Sequence, residues 1–305
     1  MKIEILAFLA ASFLLFITFS SHIQENLVRE DYEDLDNKIS FASLTIAAPL
    51  YLAVSELPIA NLTNELYQID AKSFKISILG EDAPIYSFEE TIRWPIASLT
   101  KLLTAIVAIE KFGLDKIIQL TLEDILIEGD TSNLKSGDFF SVRDLIVAML
   151  TVSSNDAAYV LARSYGYNNF IEAMKDKAFA IGMANSFFVD PTGLSTLNQS
   201  TARDLEKLAN YIFKNYPNLL AISRNKENYI TEKESGRINK LVNINKFAGD
   251  FDFIGGKTGY IEEARGNLWS IFKWQNLNIL IIVLGSNDRF LDTSKLYNWT
   301  KNRLK

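Results

Sequence analysis

Ser98 and Lys101 lie three residues apart at the head of an apolar run, Leu102-Leu103-Thr104-Ala105-Ile106-Val107-Ala108-Ile109. Helical spacing sets the hydroxyl and the amine on one face, one turn apart, and a helix that is apolar all round belongs inside a domain. Burial favours the uncharged form of a lysine amine. An uncharged amine beside a serine hydroxyl is a base beside a nucleophile, the pairing that acyl transfer needs. Ser-x-x-Lys alone carries little weight, because the chain repeats it at Ser132/Lys135, Ser223/Lys226 and Ser270/Lys273, where solvated surface pairs are expected. Two further polar groups sit in settings suited to a site. Ser153-Ser154-Asn155 forms a break between helical patterns, and Lys257-Thr258-Gly259-Tyr260, the single Lys-Thr-Gly of the chain, lies in a strand pattern.

Composition removes most rival chemistries. Cysteine is absent and the only histidine is His22, beside the N-terminal apolar stretch. Thiol nucleophiles, disulfides, histidine triads and cysteine- or histidine-ligated metals are therefore excluded, and no metal or cofactor is expected. A hydrolase built from this chain must take its base from Lys, Asp, Glu or Tyr. The net charge is −6 with no long basic run, which leaves no footprint for nucleic acid. A length of 305 residues with 48% hydrophobic content fits one large domain or two small ones.

The elements that must position these residues read as follows. Lys2 precedes an apolar run from 5 to 19, too short as a helix for a full membrane crossing and suited to a signal peptide or an N-terminal anchor over 1–21. The acidic stretch after it and the lysine before it place the rest of the chain outside the cytoplasm, in the periplasm or on the outer face of the membrane. Residues 22–62 read as a spacer and 63–305 as the catalytic domain. Within it, 73–80 and 84–88 form a hairpin, and the buried helix starts on Pro95 and stops at Gly113. Ser141 to Asp144 is a capping-box variant opening a helix to about 150, helices follow near 155–165 and 170–181, and Ser200 or Thr201 caps another that Pro217 closes. Strands are expected at 251–260, 267–274 and 277–285, the last buried on both faces, with a final helix over 293–304. This is an α/β (α+β) arrangement: an antiparallel sheet built from both ends of the chain, with an all-helical lobe between.

Ser-x-x-Lys, Ser-x-Asn and Lys-Thr-Gly in this order are the signature of penicillin-recognising serine enzymes. The flanks Pro95-Ile96-Ala97-Ser98-Leu99-Thr100-Lys101, Ser154-Asn155-Asp156-Ala157-Ala158, Asp190-Pro191-Thr192-Gly193-Leu194, Ser200-Thr201-Ala202-Arg203-Asp204 and Gly256-Lys257-Thr258-Gly259-Tyr260 sharpen it. Over about 66–304 the chain resembles the serine-type D-Ala-D-Ala carboxypeptidases, the low-molecular-mass penicillin-binding proteins. The resemblance implies a penicillin-binding/β-lactamase-like fold and an enzyme that removes the terminal D-Ala from peptidoglycan stem peptides, with β-lactams as covalent inhibitors. In its terms Ser98 is the nucleophile, Lys101 its base, and Ser153 the relay to the leaving amine. Asn155 holds the substrate amide, Lys257 supplies positive charge beside Ser153, and Thr258 binds the terminal carboxylate. Gly259 lets the strand approach the substrate, and the backbone N–H of Tyr260 joins that of Ser98 at the oxyanion.

Two departures mark the chain. Ser154 stands where the family often has glycine, and the turn Ile261-Glu262-Glu263-Ala264-Arg265-Gly266 is bulkier than usual at the rim of the cleft. The competing readings are an endopeptidase on peptide cross-links, which shares every residue named, a class A-like β-lactamase, and an acylated β-lactam sensor. A β-lactamase needs a carboxylate for its deacylating water; Glu206 and Asn210 have the spacing but fall inside a helix, where a solvated face is expected. A sensor needs a signalling domain across the membrane, and only four residues precede the apolar run.

Overall fold

The alternation of apolar residues over 73–78 and 277–286 brings the two ends of the domain into one sheet. The structure, a computed structural model, describes residues 66 and 68–304 apart from 82, 128, 130 and 131. The expected N-terminal apolar segment and most of the spacer lie outside the described residues. Strands β1 (Ser73–Ile78), β2 (Tyr86–Phe88), β9 (Phe253–Ile261), β10 (Arg265–Trp274) and β11 (Leu277–Ser286) form a five-stranded sheet in the order β2-β1-β11-β10-β9. Every pairing described is antiparallel, and β1 runs against β11 in the register Ser73↔Leu284 to Ile78↔Ile279. Consecutive residues of β11 feed two different cores, as a period of two requires. Leu280, Ile282 and Leu284 pack into the helical lobe, while Ile279, Ile281 and Val283 pack with Phe74, Phe272, Leu296 and Trp299 on the other side. At about 2 kcal/mol per fully buried aliphatic side chain, this one strand carries a large share of the gross apolar stabilisation.

The lobe is built around α1 (Thr100–Phe112), whose residues from Thr100 to Ala108 are all buried. Around it lie α2 (Val142–Thr151), α3 (Asn155–Tyr165), α4 (Tyr167–Ile181), α5 (Ala202–Asn215) and α6 (Pro217–Arg224), and α7 (Arg289–Arg303) covers the far face of the sheet. Ser141 and Asp144 form the expected capping box of α2, and Thr201 caps α5 by accepting from the Asp204 N–H at 3.1 Å.

Three local expectations are corrected. Pro95 does not start the central helix. It belongs to β3 (Trp94–Pro95), which pairs with β6 (Gln199–Ser200), and a 3-10 turn over Ala97–Leu99 leads into α1. Ala97 sits at φ 47°, a left-handed kink that breaks any continuous helix through Pro95. Pro217 does not simply close α5, because it is also the first residue of α6, where its missing N–H costs nothing. Finally, β7 (Glu227–Thr231) and β8 (Ile238–Val242) form a hairpin that the sequence reading passed over. The short pair β4 (Ile117–Gln119) and β5 (Phe139–Ser141) completes the strands described.

Candidate active site

Ser98 stands in the 3-10 turn, partly exposed, between Ala97 and Leu99, which are fully buried. The turn is wedged between two glycines. A Cβ on Gly193 (φ +84°) would lie 2.0 Å from the Ala97 carbonyl oxygen, and one on Gly259 would lie 2.7 Å from that of Ile96. Neither position tolerates a side chain, so the 190–194 loop and β9 both come within backbone contact of the nucleophile's turn.

Lys101, fully buried one turn along, places its Nζ 2.9 Å from Ser98 Oγ, 2.7 Å from Asn155 Oδ1 and 2.6 Å from the Thr192 carbonyl oxygen. Asn155 is the first residue of α3, after the Ser153-Ser154 break. Ser154 caps that helix by accepting from the Ala157 N–H at 3.0 Å, and its hydroxyl meets Ser132 Oγ at 3.1 Å. A serine where the family often has glycine is thus part of the scaffold. Ser153 takes φ 62°, a left-handed conformation that costs on the order of 1–3 kcal/mol for a non-glycine residue. From there its hydroxyl receives Lys257 Nζ at 2.8 Å.

Lys257 is 1% exposed and donates also to the Thr258 carbonyl at 2.8 Å. Burial, reinforced by the neighbouring Arg289 guanidinium, holds its amine well below the ordinary lysine range. The open edge of β9 follows from its hydrogen bonding. The Gly256 N–H leaves the sheet to meet Ser223 Oγ at 3.1 Å. Antiparallel pairing alternates, and the register from Gly255 to Ile261 is regular, so the N–H of Tyr260 faces the same edge as that of Gly256. A strand edge with a free-facing N–H beside a helix-entry serine is the geometry of an oxyanion site.

The structure therefore gathers Ser98, Lys101, Ser153, Asn155, Lys257, Thr258, Gly259 and Tyr260 along one edge of β9. Tyr260 turns its ring outward and is 64% exposed. Two contributors escape a reading by side-chain type. The Thr192 carbonyl, a third oxygen on Lys101, is encoded by loop shape. Arg289, at the start of α7, donates to the Gly259 carbonyl at 3.1 Å, and its guanidinium is depressed by burial. The other three Ser-x-x-Lys repeats are only half as expected: their lysines are exposed, but Ser132, Ser223 and Ser270 are buried. Glu206 and Asn210 also differ from a solvated face. Glu206 pairs with Lys75 at 2.9 Å and accepts from Ser77, fastening α5 to β1, and Asn210 Oδ1 accepts from the Gly80 N–H at 3.1 Å, fastening α5 to the turn after that strand.

The chain is similar to known proteins over most of its length. Residues 60–288 match the family model described as D-alanyl-D-alanine carboxypeptidase, peptidase family S11. The D-alanyl-D-alanine endopeptidase of Pseudomonas aeruginosa is 31% identical over 86% of this chain and 87% of its own length. That of Haemophilus influenzae is 37% identical over 69% and 72%. The structure of penicillin-binding protein D2 from Listeria monocytogenes, in its cefotaxime-bound form, superposes with a TM-score of 0.67 at 28% identity, over 78% of this chain and 98% of that one. The fold is that of the penicillin-binding proteins, and the chain belongs to the D-alanyl-D-alanine carboxypeptidase family of serine peptidases.

Proposed function

We propose that Ser98 of this serine D-Ala-D-Ala peptidase attacks the carbonyl carbon of a D-alanyl residue in a peptidoglycan stem peptide and carries the resulting acyl group as an ester. The observation that carries the reading is the fully buried Lys101 amine 2.9 Å from Ser98 Oγ. As the new C–O bond forms, the hydroxyl proton passes to Lys101 Nζ. The N–H groups of Ser98 and Tyr260 take the oxyanion. Collapse breaks the C–N bond: the Ser153 hydroxyl, held by Lys257, gives its proton to the leaving nitrogen and takes in exchange the one Lys101 had received, so both groups return to their starting state. Water then adds to the ester carbonyl, losing a proton to Lys101, and as the C–O bond to Ser98 breaks that proton returns to Oγ. Thr258, with the Lys257 amine and the Arg289 guanidinium nearby, suits a carboxylate on the leaving residue, and Asn155 holds the acyl-side amide.

Two bonds fit this machinery. Removal of a terminal D-Ala is supported by the matched family's description. Cleavage of a D-Ala cross-link, where the leaving residue is longer, is supported by relatives at 31% and 37% identity that are endopeptidases. Their similarity favours the cross-link. Supplying the purified protein with a pentapeptide and with a cross-linked dimer decides between them by which is consumed at the higher kcat/KM. Both activities are expected to vanish in Ser98→Ala and Lys101→Ala; retention in either variant rejects the mechanism. Labelling with a fluorescent penicillin is expected to place the adduct on Ser98 by mass mapping. Export belongs to the same reading, since the substrate lies outside the cytoplasm and the N-terminal sequence has the features of a signal or anchor; cell fractionation tests it.

A further inference from the structure

We infer that Thr104 and Asn198 are positioning residues for the Lys101 base: they pin the 190–194 loop to α1 so that the Thr192 carbonyl turns the amine's lone pair toward Ser98. The inference rests on Lys101 acting as the base, as set out above.

An uncharged lysine amine has two N–H donors and one lone pair. Of the three oxygens described around it, Asn155 Oδ1 and the Thr192 carbonyl accept only, while Ser98 Oγ can donate. With both acceptors in place the N–H groups are used, and the lone pair is left for the serine proton. If the Thr192 carbonyl withdraws, an N–H turns to Ser98 Oγ and the amine becomes a donor to the group it must deprotonate. The position of one carbonyl in an irregular loop thus decides which end of the amine faces the nucleophile.

Three consecutive carbonyls of that loop are each taken by a different donor. Asp190 O receives Asn198 Nδ2 at 2.8 Å, Pro191 O receives Thr104 Oγ1 at 2.7 Å, and Thr192 O receives Lys101 Nζ at 2.6 Å. The same Asn198 amide also donates to Thr100 Oγ1 at 3.2 Å, and its Oδ1 accepts from the N–H groups of Val189 at 2.8 Å and Asp190 at 3.2 Å. Those two backbone donors fix which end of the amide is oxygen. Asn198 is fully buried, and its carbonyl accepts from the Ile96 N–H at 3.0 Å. Thr100 and Thr104 stand on α1 one residue before and three after Lys101. The base and the carbonyl that orients it are therefore referred to the same rigid helix. Inside the loop, the Asp190 carboxylate closes the turn by accepting from Thr192 and Gly193 N–H at 2.7 and 2.6 Å and from Ser195 N–H at 3.0 Å. Two hydroxyls in an otherwise apolar helix have a reason to be there. Neither Thr104 nor Asn198 reaches Ser98, so each acts through another residue.

The test is acylation of the full chain by a fluorescent penicillin, with kcat and KM on a pentapeptide, measured across pH. Thr104→Val keeps the shape and removes the donor; Thr104→Ser keeps the donor. Thr104→Val is expected to acylate about tenfold more slowly, the scale of one lost hydrogen bond, with KM unchanged within about twofold and the acid limb of the rate profile displaced. Thr104→Ser is expected to recover most of the rate. Asn198→Asp, which loses both amide donors, is expected to lose about a hundredfold, as a base misplaced by about 1 Å does. Equal rates in the valine and serine variants, or losses that follow Tm with the acid limb unmoved, overturn the inference. An unmodified protein that acylates normally beside an unaffected valine variant overturns this inference alone; one that does not acylate overturns the serine-lysine reading with it.

Discussion

Lys75 on β1 and Lys257 on β9 belong to one sheet and are almost equally hidden, at 3% and 1% exposure, yet their surroundings are opposite. Lys75 lies between two carboxylates, Glu90 at 2.5 Å and Glu206 at 2.9 Å, and Arg203 closes the group on Glu90. Burial pushes the Glu90 carboxyl up, but hydrogen bonds from Lys75 and Arg203 outweigh it and hold it below the ordinary value. Lys257 meets a serine hydroxyl and a carbonyl, with the Arg289 guanidinium close by and no carboxylate among its described partners. One lysine is neutralised and ties β1, α5 and the 89–93 segment together. The other is left under electrostatic stress beside the nucleophile. Burial alone therefore does not mark a working lysine; the charge of its neighbours does.

The largest expected effect that tests this contrast is on Lys257→Met. Its kcat/KM should fall by roughly a thousandfold, as for loss of a preorganised donor in a closed site, while thermal melting shows no loss of stability. Lys75→Met should do the reverse. It leaves Glu90 and Glu206 facing each other, and breaking such a pair is expected to cost about 3 kcal/mol after allowance for their partial exposure. Calorimetry should show a Tm lower by roughly 6–12 °C, with kcat of the folded enzyme retained. Adding Glu90→Gln and Glu206→Gln should return at least half of that loss; no recovery would mean that packing, not charge, holds the site.

Acidity gives a third, smaller contrast. Glu90 is depressed in the folded state, so its contribution is present above the ordinary carboxylate pKa and fades as pH falls through the folded value. Lys257 is also depressed, but as a cation, so between its folded and unfolded values the unfolded chain holds the extra proton and stability rises with pH. Urea melts from mildly acid to alkaline pH should show both slopes in the parent, and only the acid one in Lys257→Met. The smallest expected effect is on Glu206→Gln, whose penicillin adduct should persist as long as the parent's, within about twofold. An adduct that persists much longer in the variant than in the parent would instead mark Glu206 as a carboxylate that activates the deacylating water.

What was legible in the sequence was whatever side-chain identity encodes at close spacing. Ser98/Lys101, Ser153/Asn155 and Lys257 to Tyr260 could be named because each group is contiguous and its residue types carry the chemistry. The doubly buried β11 was legible because six apolar residues in a row, Ile279 to Leu284, leave no polar face. The role of Thr192 was not, since a backbone carbonyl has no letter of its own. Arg289 was invisible for another reason: it reaches β9 only through the packing of α7 on the sheet. Pro217 ends one helix and begins the next, and sequence signals do not separate these uses. The β7–β8 hairpin was missed because Tyr229, Ile238 and Val242 face solvent, so its alternation does not follow the rule of apolar residues inward. Glu206 was misjudged because its partner Lys75 lies 131 residues away.

The five-stranded sheet has a consequence for the order of assembly. β1 must wait for β11, some two hundred residues later in the chain, and β9 reaches its place only through β10 and β11. The helices can gather locally and early, whereas closing so long a loop is slow. A chain emerging from its N-terminus would already carry Ser98 and Lys101 but would have no edge to hold a substrate until β11 had appeared. Incomplete chains ending before 277 should thus resist penicillin labelling, which would keep a hydrolase of the cell's own wall silent until it is whole.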